Sequence, residues 1–268
     1  MSGPMIPPGV AVFRSRRLAV YYDAATLIDK SVEIIQEPGE ILKVSPKAST
    51  RRVGDWLVKE GRTNLPGIVK RTLKPERYRK AWAAAWHLRA HGVSVPRPLA
   101  YLERRVFRLV LGDAFVCEFL WGHASVEDYA RAVIGPHPDI AGATAFLFGL
   151  ADAIRGIENA GAYHADLSGK NILTRDGSQF SLIDLDAVSL GVPYSDEARL
   201  KNHVQLYDSF CDFWPDDVLI PFIERMSPDP GRIEPWMHRV WKGQRERRNR
   251  TEAIWRKEGR RAQRLFQP

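Results

Sequence analysis

The chain changes character at Gly122. Before it, short β-branched or alternating runs at residues 13–22, 32–35, 40–44, 55–59, 67–71, 99–103, 106–110 and 115–120 read as strands. After it, apolar residues recur at helical spacing over 125–133, over the long run 142–160, and through most of the chain beyond Asp196. Strands are gathered first and helices second. They predict an α+β fold with a β-rich N-terminal lobe and a helical C-terminal lobe. A chain of 268 residues is long enough for two such lobes. The boundaries fall at 1–120, 121–230 and 231–268.

One helix interrupts the N-terminal strands. Pro75 opens it, residues 76–91 are rich in helix formers, and Trp82, Ala85, Trp86 and Leu88 form its apolar face. Gly92 stops it, and Pro96 and Pro98 prevent its continuation. The polar stretch 45–54 reads as turns between two strands, as do Arg104-Arg105 and Leu111-Gly112-Asp113. In the C-terminal part, Ser125 is placed as an N-cap with Asp128 three residues on. Asp176-Gly177 marks a hairpin turn.

The chemistry concentrates in His164-Ala165-Asp166-Leu167-Ser168-Gly169-Lys170-Asn171, followed thirteen residues later by Asp184 in Leu182-Ile183-Asp184-Leu185-Asp186. Phosphoryl transfer needs a group beside the acceptor hydroxyl, ligands for the metal that holds the triphosphate, and a cation on the phosphates. Asp166 suits the first role. The Asn171 amide oxygen and the Asp184 carboxylate, an acid at the end of a buried strand, are hard ligands suited to Mg²⁺. His164 is read as organising the backbone rather than as a base. Asp186 reads equally as a second metal ligand or as a cap. Lys170 reads as a phosphate or substrate contact or as a solvated loop lysine.

The phosphate cation should sit on a strand before the first helix. Lys70, after Ile68-Val69, fits, and Lys43 in Ile41-Leu42-Lys43-Val44 is its rival. Glu76 is the only acid in the following helix and lies at its start, where it also suits the helix dipole. No G-x-G-x-x-G loop is present, so Ser49, Thr50 and Arg51 are the candidates for covering the phosphates. The backbone of Glu118, Phe119 and Leu120, at the strand-to-helix changeover, is placed against adenine.

The net charge is +8, and all of it is C-terminal: from Gly231 onward there are 12 Lys+Arg against 4 Asp+Glu, while the preceding part carries 28 of each. That segment, with Trp236, Trp241, Trp255 and Phe266 interspersed, implies an anionic partner surface. No nucleic-acid reading module accompanies it, which argues against nucleic acid as a partner. Two distant cysteines, Cys117 and Cys211, exclude a disulfide framework and fit a reducing cytoplasm. The N-terminus does not read as a signal peptide, and no apolar run approaches the roughly 20 residues of a membrane span.

Taken together, Val69-Lys70-Arg71, residues 82–98 with their Gly92-Val93-Ser94-Val95-Pro96-Arg97-Pro98 ending, residues 99–103, residues 164–173 and residues 182–186 resemble the lipopolysaccharide kinase family. These protein-kinase-like enzymes phosphorylate Kdo or heptose of the inner core. The resemblance spans about Gly67 to Asp208. It implies a bilobal protein-kinase-like fold, ATP and Mg²⁺ as cofactors, and a lipopolysaccharide core or other sugar acceptor. It implies Asp166 as the catalytic Asp, Lys70 as the ATP-phosphate lysine, and Asn171 and Asp184 as metal ligands. It also implies a cytoplasmic protein at the inner face of the inner membrane. Ser168, where protein Ser/Thr kinases carry a lysine, favours a glycan acceptor. The helix reads Arg79-Lys80-Ala81-Trp82 where an acid is expected before the tryptophan. The alternatives are an atypical Ser/Thr protein kinase or a pseudokinase-like binding module.

Overall fold

The computed structural model describes residues 8–26, 28–45, 48–61, 77–106, 109–135, 139–227 and 229–257. They form two compact units: residues 1–122 with Leu182–Leu190, and residues 123–181 with 191–268. The break at Gly122 lies close to the sequence boundary. The return of Leu182–Leu190 to the first unit is not visible in the sequence.

The first unit is a seven-stranded sheet in the order β1-β2-β6-β7-β5-β4-β3. The strands are β1 Val10–Arg14, β2 Leu18–Asp23, β3 Glu40–Val44, β4 Ala48–Val53, β5 Trp56–Gly61, β6 Pro98–Val106 and β7 Leu109–Glu118. All neighbouring pairs are antiparallel. Two readings from sequence are corrected here. The stretch 45–54 contains β4, whose polar Ser49, Thr50, Arg51 and Arg52 pair with β5. Leu111-Gly112-Asp113 and Arg104-Arg105 are not turns but lie inside β7 and β6, with the register shift between Arg104 and Arg105.

Residues 32–35 are also not a strand. They lie in helix α1, Ile28–Gln36, which buries Ser31 and Ile34 one turn apart. A short apolar run suits either state, and here packing on the sheet decides it. Ile34 joins Val53, Val58, Leu99, Ala100 and Val116 in a core on one sheet face. Gly39 ends this excursion with φ 58°, and a Cβ there would stand 2.3 Å from the Arg52 carbonyl oxygen. Only glycine fits.

The opposite face carries helix α2, Arg77–Ala90. Trp82 meets Phe115 edge to face at 6.4 Å and Trp86 at 5.6 Å. Alternation along β5 assigns its side chains to the two faces. Val58 belongs to the α1 side, so Lys59, paired with Phe115 in the register, belongs to the α2 side.

In the second unit, Ser125 caps α3 (Val126–Tyr129) by accepting the Asp128 N–H, a contact that typically stabilises by about 1 kcal/mol. The long helix α4, Ile140–Asn159, buries Ala143, Phe146, Leu147, Leu150, Ala151, Ile154 and Ile157. By length and composition α4 could cross a membrane, but this stripe is the unit's core. Helices α5 (Asp196–Phe210), α6 (Asp216–Met226) and α7 (Ile233–Lys257) complete it. The basic C-terminal segment is thus partly core. Met237 and Val240 are buried, and Arg247 and Arg248 both bind Asp208 on α5.

Candidate active site

Residues 164–171 form a loop between β8 (Ala162–His164) and β9 (Ile172–Thr174). Its backbone groups have no ladder to join, so side chains satisfy them. His164 is fully buried, and its Nδ1 accepts the Asp166 N–H at 3.1 Å. It organises the loop and is not aimed outward as a base. Asn171 donates Nδ2–H to the Asp166 carbonyl at 2.7 Å and to Asp166 Oδ2 at 3.1 Å. With the nitrogen committed to Asp166, the amide oxygen is the end turned away from it.

Helix α5 supports the loop through a stripe at i, i+3 and i+7. Asn202 donates to the His164 carbonyl at 2.9 Å. Gln205 accepts the Leu167 N–H at 3.0 Å and donates to the Ala165 carbonyl and to Asp166 Oδ1, both at 3.3 Å. Ser209 accepts the Gly169 N–H at 2.9 Å. A Cβ on Gly169 would meet Ser209 Cβ at 3.1 Å and Glu127 Cβ at 3.2 Å, so glycine lets the loop approach both helices. Sequence reading missed these three residues. Their signal is three polar side chains on one face of a helix that is otherwise held by apolar neighbours.

In the first unit, Asp184 has φ 57° and ψ 45°, and it is the only non-glycine residue with positive φ among those described. Such a conformation costs on the order of 1–3 kcal/mol and persists where surroundings enforce it. Lys59 Nζ lies 3.2 Å from Asp184 Oδ1. Burial pushes the Asp184 carboxyl up, but Lys59 and its neighbours outweigh it and hold the group below the usual carboxylate range. Asp184 is therefore an ionised hard-oxygen donor. Asp186 goes the other way: burial raises it, the Asp184 charge adds, and the ion pair with Arg77 only partly compensates. Tyr78 is buried beside these acids, and its hydroxyl is pushed up to about 12, first by burial.

Lys59 was not singled out from sequence. Lys70, the residue chosen there, and Glu76 lie outside the described residues, while Lys43 is exposed on the edge strand β3. The signal for Lys59 is its place one residue beyond a core valine in Leu57-Val58-Lys59.

At the end of β7, Glu118 and Phe119 donate their N–H groups to the Arg97 and Asp55 carbonyls at 2.9 and 2.8 Å. Those two donors are occupied within the protein. Leu120 is half-buried. Trp121 is half exposed and donates Nε1–H to Asp55 at 3.0 Å, with the Arg52 guanidinium 4.3 Å above its ring. Among the described residues no three His, Cys, Asp or Glu side chains gather as a metal cage.

Residues 61–226 match the family described as Lipopolysaccharide kinase (Kdo/WaaP). No curated protein matches the chain. Among solved structures, one described as "WaaP in complex with acyl carrier protein" is similar, with TM-score 0.61 and 20% identity over 80% of this chain and 92% of that one. The fold is thus a protein-kinase-like one.

Proposed function

We propose, from the premise that this chain belongs to the lipopolysaccharide kinase (Kdo/WaaP) family and is a phosphotransferase acting on a sugar hydroxyl of lipopolysaccharide core, that its donor is ATP and its acceptor an inner-core Kdo or heptose. The observation that carries the chemistry is the Asp166 carboxylate. It stands on a loop pinned at both ends and is itself held by the side-chain amides of Asn171 and Gln205.

In this reading the acceptor hydroxyl attacks the γ-phosphorus of ATP. The new O–P bond forms, the bond to the β-phosphate oxygen breaks, and ADP leaves. Asp166 receives the hydroxyl proton. Lys59 takes the role of the phosphate cation. Each unit carries a hard-oxygen donor suited to Mg²⁺: the ionised Asp184 carboxylate in the first, and in the second the Asn171 amide oxygen, whose nitrogen is already committed. When bound, the ion would neutralise charge on the phosphates. The family resemblance implies Asn171 and Asp184 as its ligands.

Helix α7 carries the exposed cations Arg239, Lys242, Arg245, Arg250 and Arg256 beside the exposed acids Glu246 and Glu252, the latter paired with Arg256. These cations favour an anionic lipid surface, at about 1 kcal/mol per basic residue close to it. That supports a cytoplasmic enzyme working at the inner face of the inner membrane on a lipid-linked sugar.

The test is transfer of the γ-phosphoryl group by purified protein to Kdo- or heptose-bearing core acceptors. A phosphorylated sugar is the expected product. ATP binding without transfer to either acceptor overturns the proposal.

A further inference from the structure

In protein kinases the phosphate lysine is held by a glutamate on the following helix. Helix α2 contains no acid between Arg77 and Ala90. Lys59 instead meets Asp184. The usual tie from helix to lysine is therefore not made by the described helix, and the question is what holds Asp184 where Lys59 finds it.

The tie that exists has reversed polarity. The helix supplies the cation and the metal turn supplies the acid: Arg77 Nε donates to Asp186 Oδ2. Asp184 and Asp186 flank one residue of a tight turn that starts from the left-handed conformation of Asp184. The turn closes with the Ala187 N–H on the Asp184 carbonyl at 3.0 Å. Leu185 plugs it into the unit with 4% exposure, and α2 packs against it. At the other end the Arg77 side chain is 51% exposed, and its backbone is anchored by its neighbour. Tyr78, next to Arg77, is 2% exposed.

This pair differs from an ordinary surface ion pair. The Asp186 side chain is only 12% exposed, and its buried Oδ1 finds no hydrogen-bond donor among the described residues. Without Arg77, a largely buried carboxylate would stand two residues from Asp184 with its counter-ion gone. The turn would then relax, and Asp184 would lose its enforced geometry.

We infer that Arg77 is a positioning residue: through Asp186 it locks the 184–187 turn so that the Asp184 carboxylate is aimed for the metal of the bound nucleotide. The inference rests on the kinase function proposed for this chain and names its positioning device.

The experiment is Mn²⁺ binding, followed by electron paramagnetic resonance, to the full chain with and without ADP, alongside ADP binding in chelator. Arg77→Met should weaken Mn²⁺ binding in the presence of ADP by about tenfold, the low end of losses on removing a partner of a metal ligand. Metal-free ADP affinity should stay within about twofold, inside the scatter of such contacts. The exchanged pair, R77D with D186R, should recover much of the loss, and Arg77→Lys part of it. Thermal melts of each variant separate misfolding from loss of aim. Unchanged Mn²⁺ binding in Arg77→Met overturns the inference, as does an equal loss of metal-free ADP binding or an exchanged pair no better than either single variant. If the wild-type chain binds no Mn²⁺ with ADP, the kinase reading and this inference fall together. If it binds but phosphorylates no core sugar, the acceptor proposal falls alone, and the Arg77→Met comparison still decides the inference.

Discussion

Gln205 grips Asp166 from a helix 39 residues away: its Nε2 lies 3.3 Å from Asp166 Oδ1 while its Oε1 takes the Leu167 N–H at 3.0 Å. One side chain thus sets the carboxylate and the backbone behind it. Gln205→Leu should cost about 1–3 kcal/mol of stability, the penalty for stranding a buried donor. It should also lower kcat by about 10²-fold, as misplacing a catalytic group by an ångström does, with KM for ATP little changed. Chemical denaturation and steady-state kinetics on the same preparation check both.

Asp166→Asn keeps the shape and removes the proton acceptor. A fall in kcat of about 10²–10⁴-fold is expected, with ATP binding and the unfolding midpoint retained. Equal losses in binding and turnover would assign Asp166 to ATP rather than to the hydroxyl.

Lys59 and Lys70 make competing claims on the phosphates. Lys59→Met should raise KM for ATP by about 10- to 150-fold, as loss of one charge-assisted contact of about 1.5–3 kcal/mol does. Lys70→Met and Lys43→Met should have smaller effects. Kinetics of the three variants side by side measure the order. A larger effect for Lys70 would return the phosphate role to the residue chosen from sequence.

The motif loop stood out in the sequence because phosphoryl transfer would constrain residue identities in a short stretch, and Asp166, Asn171 and Asp184 stand at spacings such chemistry could use. Local signals also carried Ser125 as N-cap and the turn at Asp176-Gly177, whose carboxylate and neighbours bond within three residues. Lys59 was not legible, because whether it faces α2 or α1 depends on register with β7, a contact nearly 60 residues away. Residues 32–35 carry β-branched side chains in a run too short for period to decide. Asn202, Gln205 and Ser209 were not singled out, since nothing near them in sequence announces a loop to support. The pairing of Arg77 with Asp186 spans 109 residues and is tertiary information throughout.

His203 provides a pH signature independent of the active site. It is buried, its Nδ1 accepts the Trp236 indole N–H at 2.8 Å, and burial lowers its pKa to about 3. Unfolded, it titrates near 6.5. The unfolded chain therefore binds the extra proton between those values, and stability falls as pH drops from about 6.5 toward 3. The slope from this group reaches at most about 1.4 kcal/mol per pH unit. His203→Gln keeps an acceptor for Trp236 and should flatten the curve in that window by this amount. Parallel slopes for the two proteins would show that His203 is not buried neutral.

Gly169→Ala tests the close approach beneath the loop. Its Cβ would press on Ser209 and Glu127, at a cost of about 1–3 kcal/mol for overpacking. Urea melts should show the lower midpoint. A neutral effect would mean that the loop stands further from α5 than these distances.

The most direct measurement is a mass-spectrometric comparison of core lipopolysaccharide from cells carrying the wild-type chain, Asp166→Asn, or no copy. The account predicts that both altered strains lack one phosphoryl group on an inner-core Kdo or heptose. Identical core masses in all three would contradict it.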